Sequence, residues 1–260
     1  MRWSVATMLC LATLGGCSLP IGMDRGPAPG SVAGNDDLTI VAGHFEARSL
    51  GASAGKIVGQ VVEAGGVRLR IAASRPDPDD PTGEVVLYRF VRVDGASAAF
   101  CPGDGWGFPV AGSWSAGAHL HAPGQIVIAC VGTAEERCVD LGYRPWRHAA
   151  NGADLWDYHQ ACVRALRADY CGTGRDRAGR SEHVALYDKL AIHPLRQADG
   201  MSFEAAWGAQ GAACVNHIRA PSRMTLRDLR TECANLPRAH LGNSCDEREP
   251  ALIFTKSPLQ

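Results

Sequence analysis

Residues 155–174, LWDYHQACVRALRADYCGTG, have the spacing of one amphipathic helix that contains a cysteine and ends at a second one. One face of that helix carries residues at steps of three or four, the repeat that places side chains on the same side. These residues are Leu155, His159, Cys162, Leu166 and Asp169 or Tyr170. Asn151 or Asp154 can cap the start, and Gly172 accepts the left-handed backbone that ends many helices. The stretch therefore predicts a central helix on which the rest of the chain is organised.

The two cysteines of this helix are expected to reach different partners. Cys162 and Cys171 are nine positions apart, which in a continuous helix gives about 13.5 Å of rise and places them on opposite sides. A disulfide needs Cα atoms closer than about 7 Å. The carboxyl end of a helix also disfavours a thiolate, so we do not expect Cys171 to act as a nucleophile.

Residues 162–172, CVRALRADYCG, resemble the signature of the ADYC-domain family of bacterial exported proteins and lipoproteins. The family takes its name from the tetrapeptide that stands here as Ala168, Asp169, Tyr170 and Cys171. Four flanking strings fit the same pattern, namely 142-GYRPW-146, 157-DYHQAC-162, 202-SFEAAW-207 and 211-GAACV-215. The resemblance runs from about Cys101 onward. It implies a family and a location outside the cytoplasm, but it implies no activity.

The amino terminus has the pattern of a lipoprotein signal peptide over residues 1–16. Arg2 precedes an apolar run over residues 5–14, and Leu-Gly-Gly leads directly into Cys17. A run this short is of secretory length and does not cross a bilayer as a stable helix. The order resembles a lipobox, which predicts lipid attachment at Cys17. Ser18 follows it, so we expect the outer membrane. The alternative is ordinary cleavage, with Cys17 as a free thiol.

Residues 17–37 are rich in Gly, Pro and Ala and predict a flexible tether. A β-rich unit is expected over residues 38–140, because short β-branched runs alternate there with Gly and Pro turns. The predicted strands are 38–41, 56–62, 67–71, 84–93, 107–115 and 125–130. Residues 75–83, RPDPDDPTG, interrupt them as a surface loop. Its three aspartates are expected to be solvated, since prolines break the ligand register of a calcium site.

An ADYC-type, disulfide-stapled unit is expected over residues 141–250, with a C-terminal tail over 251–260. Residues 202–210 have the spacing of a short amphipathic piece, and residues 224–233 that of a helix opened by Ser222 or Thr225. The fold class is therefore α+β and β-rich. We expect a small N-terminal β-sandwich or barrel-like unit packed on a disulfide-rich α+β unit that contains the central helix.

Cysteine parity gives the strongest structural argument. Cys10 leaves with the signal peptide and Cys17 carries the lipid, which leaves eight cysteines. They are Cys101, Cys130, Cys138, Cys162, Cys171, Cys214, Cys233 and Cys245. An even number in an exported chain predicts disulfides. Three precede the central helix and five do not, so full pairing requires a bridge between the halves, through Cys162 or Cys171. We also expect local pairs between Cys130 and Cys138 and between Cys233 and Cys245.

No recognisable catalytic, metal or cofactor motif is present, so we expect no catalytic residue, no metal and no cofactor. His119 and His121 share one strand face but have no third ligand nearby, and we expect exposed loop histidines. Asp169 is expected to form a surface or interhelix ion pair with Arg164 or Arg167. An alternative function is an envelope hydrolase with a cleft around Asp157, His159 and Trp146.

The net charge of −1, without a basic block, does not favour nucleic acid as a partner. These patterns together indicate a lipid-anchored, disulfide-stabilised protein of the bacterial envelope, with a binding or structural role. Its expected partners are the membrane, reached through the N-terminal lipid, and an envelope or extracellular molecule of undetermined kind.

Overall fold

The computed structural model describes residues 32–48, 57–94, 98–115, 118–178, 183–195, 198–234, 236, 240–242 and 245–259. Within these ranges the chain forms thirteen strands and three helices. The β-rich α+β class is thereby confirmed. The predicted signal peptide and Cys17 lie outside the described residues.

The first half of the chain is a curved antiparallel sheet with two small hairpins. Its strands are β1 (Leu38–Val41), β2 (His44–Ala47), β3 (Val61–Ala64), β4 (Val67–Pro76), β5 (Val86–Arg92), β6 (Trp106–Ala111), β7 (Ser113–Ser115), β8 (Ala118–Leu120) and β9 (Ile126–Cys130). The main sheet has the order β3-β4-β5-β6-β9, while β1 pairs with β2 and β7 with β8. Gly65 and Gly66 both have positive φ and form the β3–β4 turn.

The two edges of the main sheet, β3 and β9, approach each other without pairing in the described part of the chain. Ala33 lies between them. Its N–H donates to the carbonyl of Gly124 at 2.7 Å, and its own carbonyl accepts from the N–H of Glu63 at 2.9 Å. Val32 beside it is buried. Residues 32–37 therefore belong to the β unit, and their assignment to a flexible tether is wrong.

The described part of the second half contains three helices and a four-stranded sheet, against which the central helix packs. Its elements are α1 (Ala134–Asp140), α2 (Leu155–Arg167), β10 (Ala185–Asp188), β11 (Met201–Gly208), β12 (Gly211–Val215), α3 (Leu226–Glu232) and β13 (Ile253–Pro258). The sheet order is β10-β13-β11-β12, all antiparallel. The side chains of α2 and the inner face of this sheet form the largest hydrophobic cluster, which includes Val163 and Trp207.

Two predictions for this half are wrong. The predicted tail over residues 251–260 contains β13 (Ile253–Pro258), which is an interior strand of the sheet. Residues 202–210 are not an amphipathic helical piece, since most of them lie in β11. A register shift between Phe203 and Ala205 puts Phe203 against Phe254 on one face and Trp207 in the main cluster on the other.

Helix α2 starts as expected and ends earlier. The carboxylate of Asp154 accepts from the N–H of Trp156 at 2.9 Å, which is the predicted N-cap. The helix stops at Arg167, because Ala168 adopts left-handed backbone with φ of 51°. The cap is therefore Ala168 and not Gly172, and Cys171 lies in the following turn.

Four disulfides join all eight cysteines, as Cys101–Cys130, Cys138–Cys162, Cys171–Cys233 and Cys214–Cys245. Cys162 and Cys171 have separate partners, and Cys138–Cys162 joins α1, which precedes the central helix, to the central helix α2. The two expected local pairs, Cys130–Cys138 and Cys233–Cys245, are wrong. Cys138 lies on a helix rather than on a strand beside Cys130, and Cys130 is bonded instead to Cys101.

A buried ion-pair network joins the second half of the chain to the first. Arg144 donates to Asp80 at 2.6 Å and to Glu84 at 2.8 Å, and Trp146 donates to Glu84 at 3.0 Å. Burial raises the pKa of Asp80, but hydrogen bonds from Arg144, Val85 and Thr82 outweigh it and hold that pKa well below its usual range. Asp80 is thus a buried anchor, which corrects the prediction of three solvated aspartates.

Candidate functional site

The ADYC tetrapeptide is almost entirely interior. Ala168 ends α2, and Asp169 directly after it is 1 % exposed. The Asp169 carboxylate accepts from Arg164 at 2.7 Å and from the N–H groups of Thr173 and Gly174 at 3.0 and 2.8 Å. Arg164 was one of the two predicted partners, but the pair is buried rather than on the surface. Asp169 therefore shapes the turn that follows the helix.

Tyr170 lies in a second buried network that ties α2 to the sheet. Its hydroxyl donates to Glu204 at 2.7 Å and accepts from the N–H of Arg219 at 3.1 Å. The Arg219 side chain donates to both Glu204 oxygens and to the carbonyl of Ala165 at the end of α2. Burial, with the charge of Glu204 adding to it, raises the pKa of Tyr170 well above its ordinary value. Tyr170 therefore stays a neutral donor.

Cys171 completes the motif as a disulfide partner of Cys233, so it offers no thiol. Each position of the tetrapeptide thus has a structural role: Ala168 as helix cap, Asp169 and Tyr170 as buried hydrogen-bonding groups, and Cys171 as a covalent link. The motif therefore connects the end of α2 to the sheet and to Cys233.

Gly172 is required by this turn. It has φ of +67°, and an added Cβ would lie 1.9 Å from the carbonyl oxygen of Gln210. We expect Gly172→Ala to lower the free energy of unfolding by about 2–3 kcal/mol, since backbone strain of roughly 1–2 kcal/mol is joined by a clash with rigid backbone. Gly132→Ala is the control, because Gly132 has φ of +83° with nothing within 4 Å of its Cβ position. Equal losses in urea unfolding of the two variants would contradict the clash.

The residues of the hydrolase alternative are not assembled into one cleft. Asp157 is exposed, whereas His159 is 1 % exposed and its Nε2 donates to the carbonyl of Glu135 at 3.1 Å. Trp146 packs in a different cluster and donates to Glu84. The geometry offers no carboxylate–imidazole pair facing solvent among these three side chains.

A column of stacked rings connects α2 to the β7–β8 hairpin. Trp114, His119, Trp156 and His121 stack in that order, with ring centres 5.3, 3.8 and 3.9 Å apart. His119 is 2 % exposed and its Nε2 donates to the carbonyl of Ala111. The prediction of an exposed loop histidine is therefore wrong for His119, although His121 at the end of the column is exposed.

The two buried histidines of this region are held neutral. Burial lowers the pKa of His119 to about 3, and the neighbouring His159 contributes to that shift. Burial likewise lowers the pKa of His159 to about 4. Their rings lie 5.9 Å apart between centres. At neutral pH they act as packing and hydrogen-bonding groups.

The gap between β3 and β9 opens into a cleft of about 910 Å³, which we call the seam cleft. It is lined by residues 63–66 at the β3–β4 turn, by Ser113–Ser115 of β7 and by residues 123–128. Phe100 and Trp114 supply aromatic surface, and Glu63 and Gln125 supply polar groups. A second cleft of about 290 Å³ lies on the other side of the turn at Pro123 and reaches His121 and Trp156.

The seam cleft has the size and mixed lining of small-molecule sites, which often lie at barrel mouths. Sequence reasoning missed it, because Glu63, Trp114 and Gln125 come together only when the fold brings the sheet edges β3 and β9 near each other. Within the described ranges, no group of three or more His, Cys, Asp or Glu side chains is placed to hold a metal ion. The geometry supports binding through apolar contact and hydrogen bonds.

Four disulfides on a β-rich α+β framework define the molecule as an extracytoplasmic, disulfide-stapled domain. None of the helices in the described residues is long and apolar enough to span a membrane. The chain belongs to the ADYC domain family, which matches residues 53–221. The match starts well before Cys101 and covers strands of both halves. Neither a curated protein nor a solved structure shows significant similarity to the chain.

Proposed function

We propose that the protein is a lipid-anchored binding module of the bacterial cell envelope and that the seam cleft holds its ligand. Cys17 would carry the lipid, and the disulfide-stapled domain would present the cleft outside the cytoplasm. The unpaired seam between β3 and β9 carries the proposal, because it leaves an open volume of about 910 Å³ beside aromatic and polar side chains.

The lining favours an uncharged, hydroxyl-rich ligand. Glu63 and Gln125 provide a carboxylate and an amide, and Ser113 and Ser115 provide hydroxyls, while the described lining contains no lysine or arginine. Carboxylates and amides accept hydrogen bonds from hydroxyl groups, and aromatic surface packs against the apolar faces of sugar rings. The ligand class we assign is therefore a neutral saccharide, as found in envelope glycans.

Calorimetric titration of the oxidised protein with chitotriose, the neutral trimer of N-acetylglucosamine, tests this assignment. We expect saturable binding that Glu63→Gln weakens about fivefold or more, because a charge-assisted hydrogen bond is replaced by a weaker one. Asp157→Asn is the matched control, since it makes the same change at an exposed carboxylate outside the cleft. Absence of binding, or equal weakening by both variants, would overturn the saccharide assignment.

The anchor is tested separately by the intact mass of protein purified from the envelope. A lipid on Cys17 that is lost in Cys17→Ser, together with release of the variant from membranes, is the expected result. An unmodified Cys17 thiol would leave ordinary secretion as the route of export.

A further inference from the structure

We propose that the outer face of β4 and β5 docks on an anionic lipid surface through an arginine face made of Arg70, Arg75, Arg89 and Trp106. The inference rests on the proposed function only for the presence of a membrane nearby. It uses no residue of the seam cleft, so the two proposals can fail independently.

Strand alternation places the arginines together. Arg70 stands between the buried core residues Leu69 and Ile71, so its side chain points to the opposite face of the sheet. Arg89 stands in the same way between buried Tyr88 and Phe90 on the neighbouring strand. The register pairs Arg70 with Val91 and Arg89 with Ala73. The two arginines therefore project diagonally from adjacent strands on one face.

Trp106 and Arg75 extend this face. Trp106 on β6 is the register partner of Arg89 and is partly buried. The guanidinium of Arg75 lies 4.4 Å from the centre of its indole ring, a cation–π contact that leaves the charge of the arginine in place. All three arginines are exposed. An indole with surrounding cations is the combination that proteins use at the boundary between lipid and water.

Arg70, Arg75 and Arg89 have no acidic partner within salt-bridge distance, unlike several other arginines of the described chain. Arg144, Arg164 and Arg219 are each paired with buried carboxylates, and Arg68 on the same strand lies 3.9 Å from Asp94. Across the described ranges, no salt bridge within 4.0 Å involves Arg70, Arg75 or Arg89. Three exposed arginines without a salt bridge therefore lie on one face of the sheet, in a chain whose net charge is −1.

A lipid surface is the occupant that the geometry favours. The charges are spread over two strands rather than gathered in a pocket, so they match a surface of many anions better than a single phosphate. The chain reaches Val32, at the start of the described fold, fifteen residues after Cys17. A segment of that length spans at most about 50 Å, so an anchor at Cys17 keeps this face within reach of headgroups.

Cosedimentation of the non-lipidated Cys17→Ser protein with sucrose-loaded vesicles tests the proposal. We expect binding to vesicles that contain phosphatidylglycerol and little binding to pure phosphatidylcholine vesicles. Each arginine near an anionic surface is expected to raise the vesicle partition coefficient about fivefold. Changing all three arginines of the face to glutamine should therefore lower that coefficient on the order of 100-fold. Sodium chloride at about 1 M should abolish binding, because the screening length is then about 3 Å.

A charge-matched triple variant separates a local face from net charge. It replaces three exposed arginines of the other half, Arg175→Gln, Arg227→Gln and Arg230→Gln. Retained vesicle binding in this control, with loss in the arginine-face variant, supports the proposal. The proposal would be overturned by equal partitioning of the two triple variants or by equal binding to both kinds of vesicle. It would also be overturned if inorganic phosphate alone abolished vesicle binding, because the arginines would then bind a single soluble anion. Chitotriose binding should be unchanged throughout, whether or not the arginine face binds lipid.

Discussion

Replacing Arg219 by methionine is expected to lower the free energy of unfolding by about 3–5 kcal/mol, because it leaves the buried carboxylate of Glu204 without its positively charged partner. Glu204 is 0 % exposed and Arg219 is 2 % exposed. The remaining partner of the carboxylate is the Tyr170 hydroxyl, a single neutral donor. The same change also removes the donor that reaches the carbonyl of Ala165 at the end of α2. Urea unfolding of the oxidised protein, followed by tryptophan fluorescence, measures the loss.

Two comparisons test whether the unpaired buried charge causes this loss of stability. Arg177→Met removes an ion pair to Glu232, whose side chain is 45 % exposed, and should cost no more than about 1 kcal/mol. The double variant Glu204→Leu with Arg219→Met should recover part of the loss, since no unpaired charge remains. If Arg219→Met costs as little as Arg177→Met, or if the double variant is less stable by the sum of both single changes, the uncompensated charge is not the cause.

The amino end of α2 was predictable and its carboxyl end was not, for a physical reason. The cap at Asp154 depends on a side chain and an N–H two residues away, so it is visible in local sequence. The end at Ala168 depends on Asp169 bonding back to Arg164 and forward to Thr173 and Gly174. Propensity alone would continue the helix through alanine, and the buried polar network overrides it.

Strand β13 shows a second limit. Its sequence, IFTKSP, contains Thr255 and Ser257, which read as exposed polar positions. Both are 0 % exposed. The Thr255 hydroxyl accepts from the indole N–H of Trp207 at 2.9 Å, and that of Ser257 lies 2.9 Å from His217. Since their partners are 48 and 40 positions away, no local pattern marks this strand as interior.

Cysteine parity succeeded where proximity failed. Counting required a bridge from the cysteines that precede the central helix to those within or after it, and Cys138–Cys162 is that bridge. Sequence proximity suggested Cys130–Cys138, yet the chain turns from β9 directly into α1 between them. The seam cleft could not be predicted from the sequence for a related reason. Glu63 and Gln125 line it from two sheet edges that only the folded chain brings near each other.

Lowering the pH from about 7 to about 4 is expected to destabilise the protein through His119 and His159. Their folded pKa values, about 3 and about 4, lie below the unfolded value of about 6.5. Above pH 6.5 both states are neutral and the full contribution is present. Below it the unfolded state takes up protons that the folded state refuses, so the free energy of unfolding falls with falling pH. At roughly 1.4 kcal/mol per pKa unit, His159 alone accounts for about 3 kcal/mol by pH 4.

Glu136 works in the opposite direction, which makes a variant comparison necessary. Burial, with the charge of Asp140 adding to it, raises its pKa to about 7, so its contribution is lost as pH rises from about 4.5 through 7. His159→Gln keeps an N–H for the carbonyl of Glu135 but cannot be protonated, and His121→Gln makes the same change at an exposed ring. The decline from pH 6.5 to 4 should therefore be shallower by about 3 kcal/mol in His159→Gln and unchanged in His121→Gln. Parallel pH profiles for the parent and both variants would show that His159 is not held neutral by the fold, and the stacked-ring region would then have to be more open to water than its burial indicates.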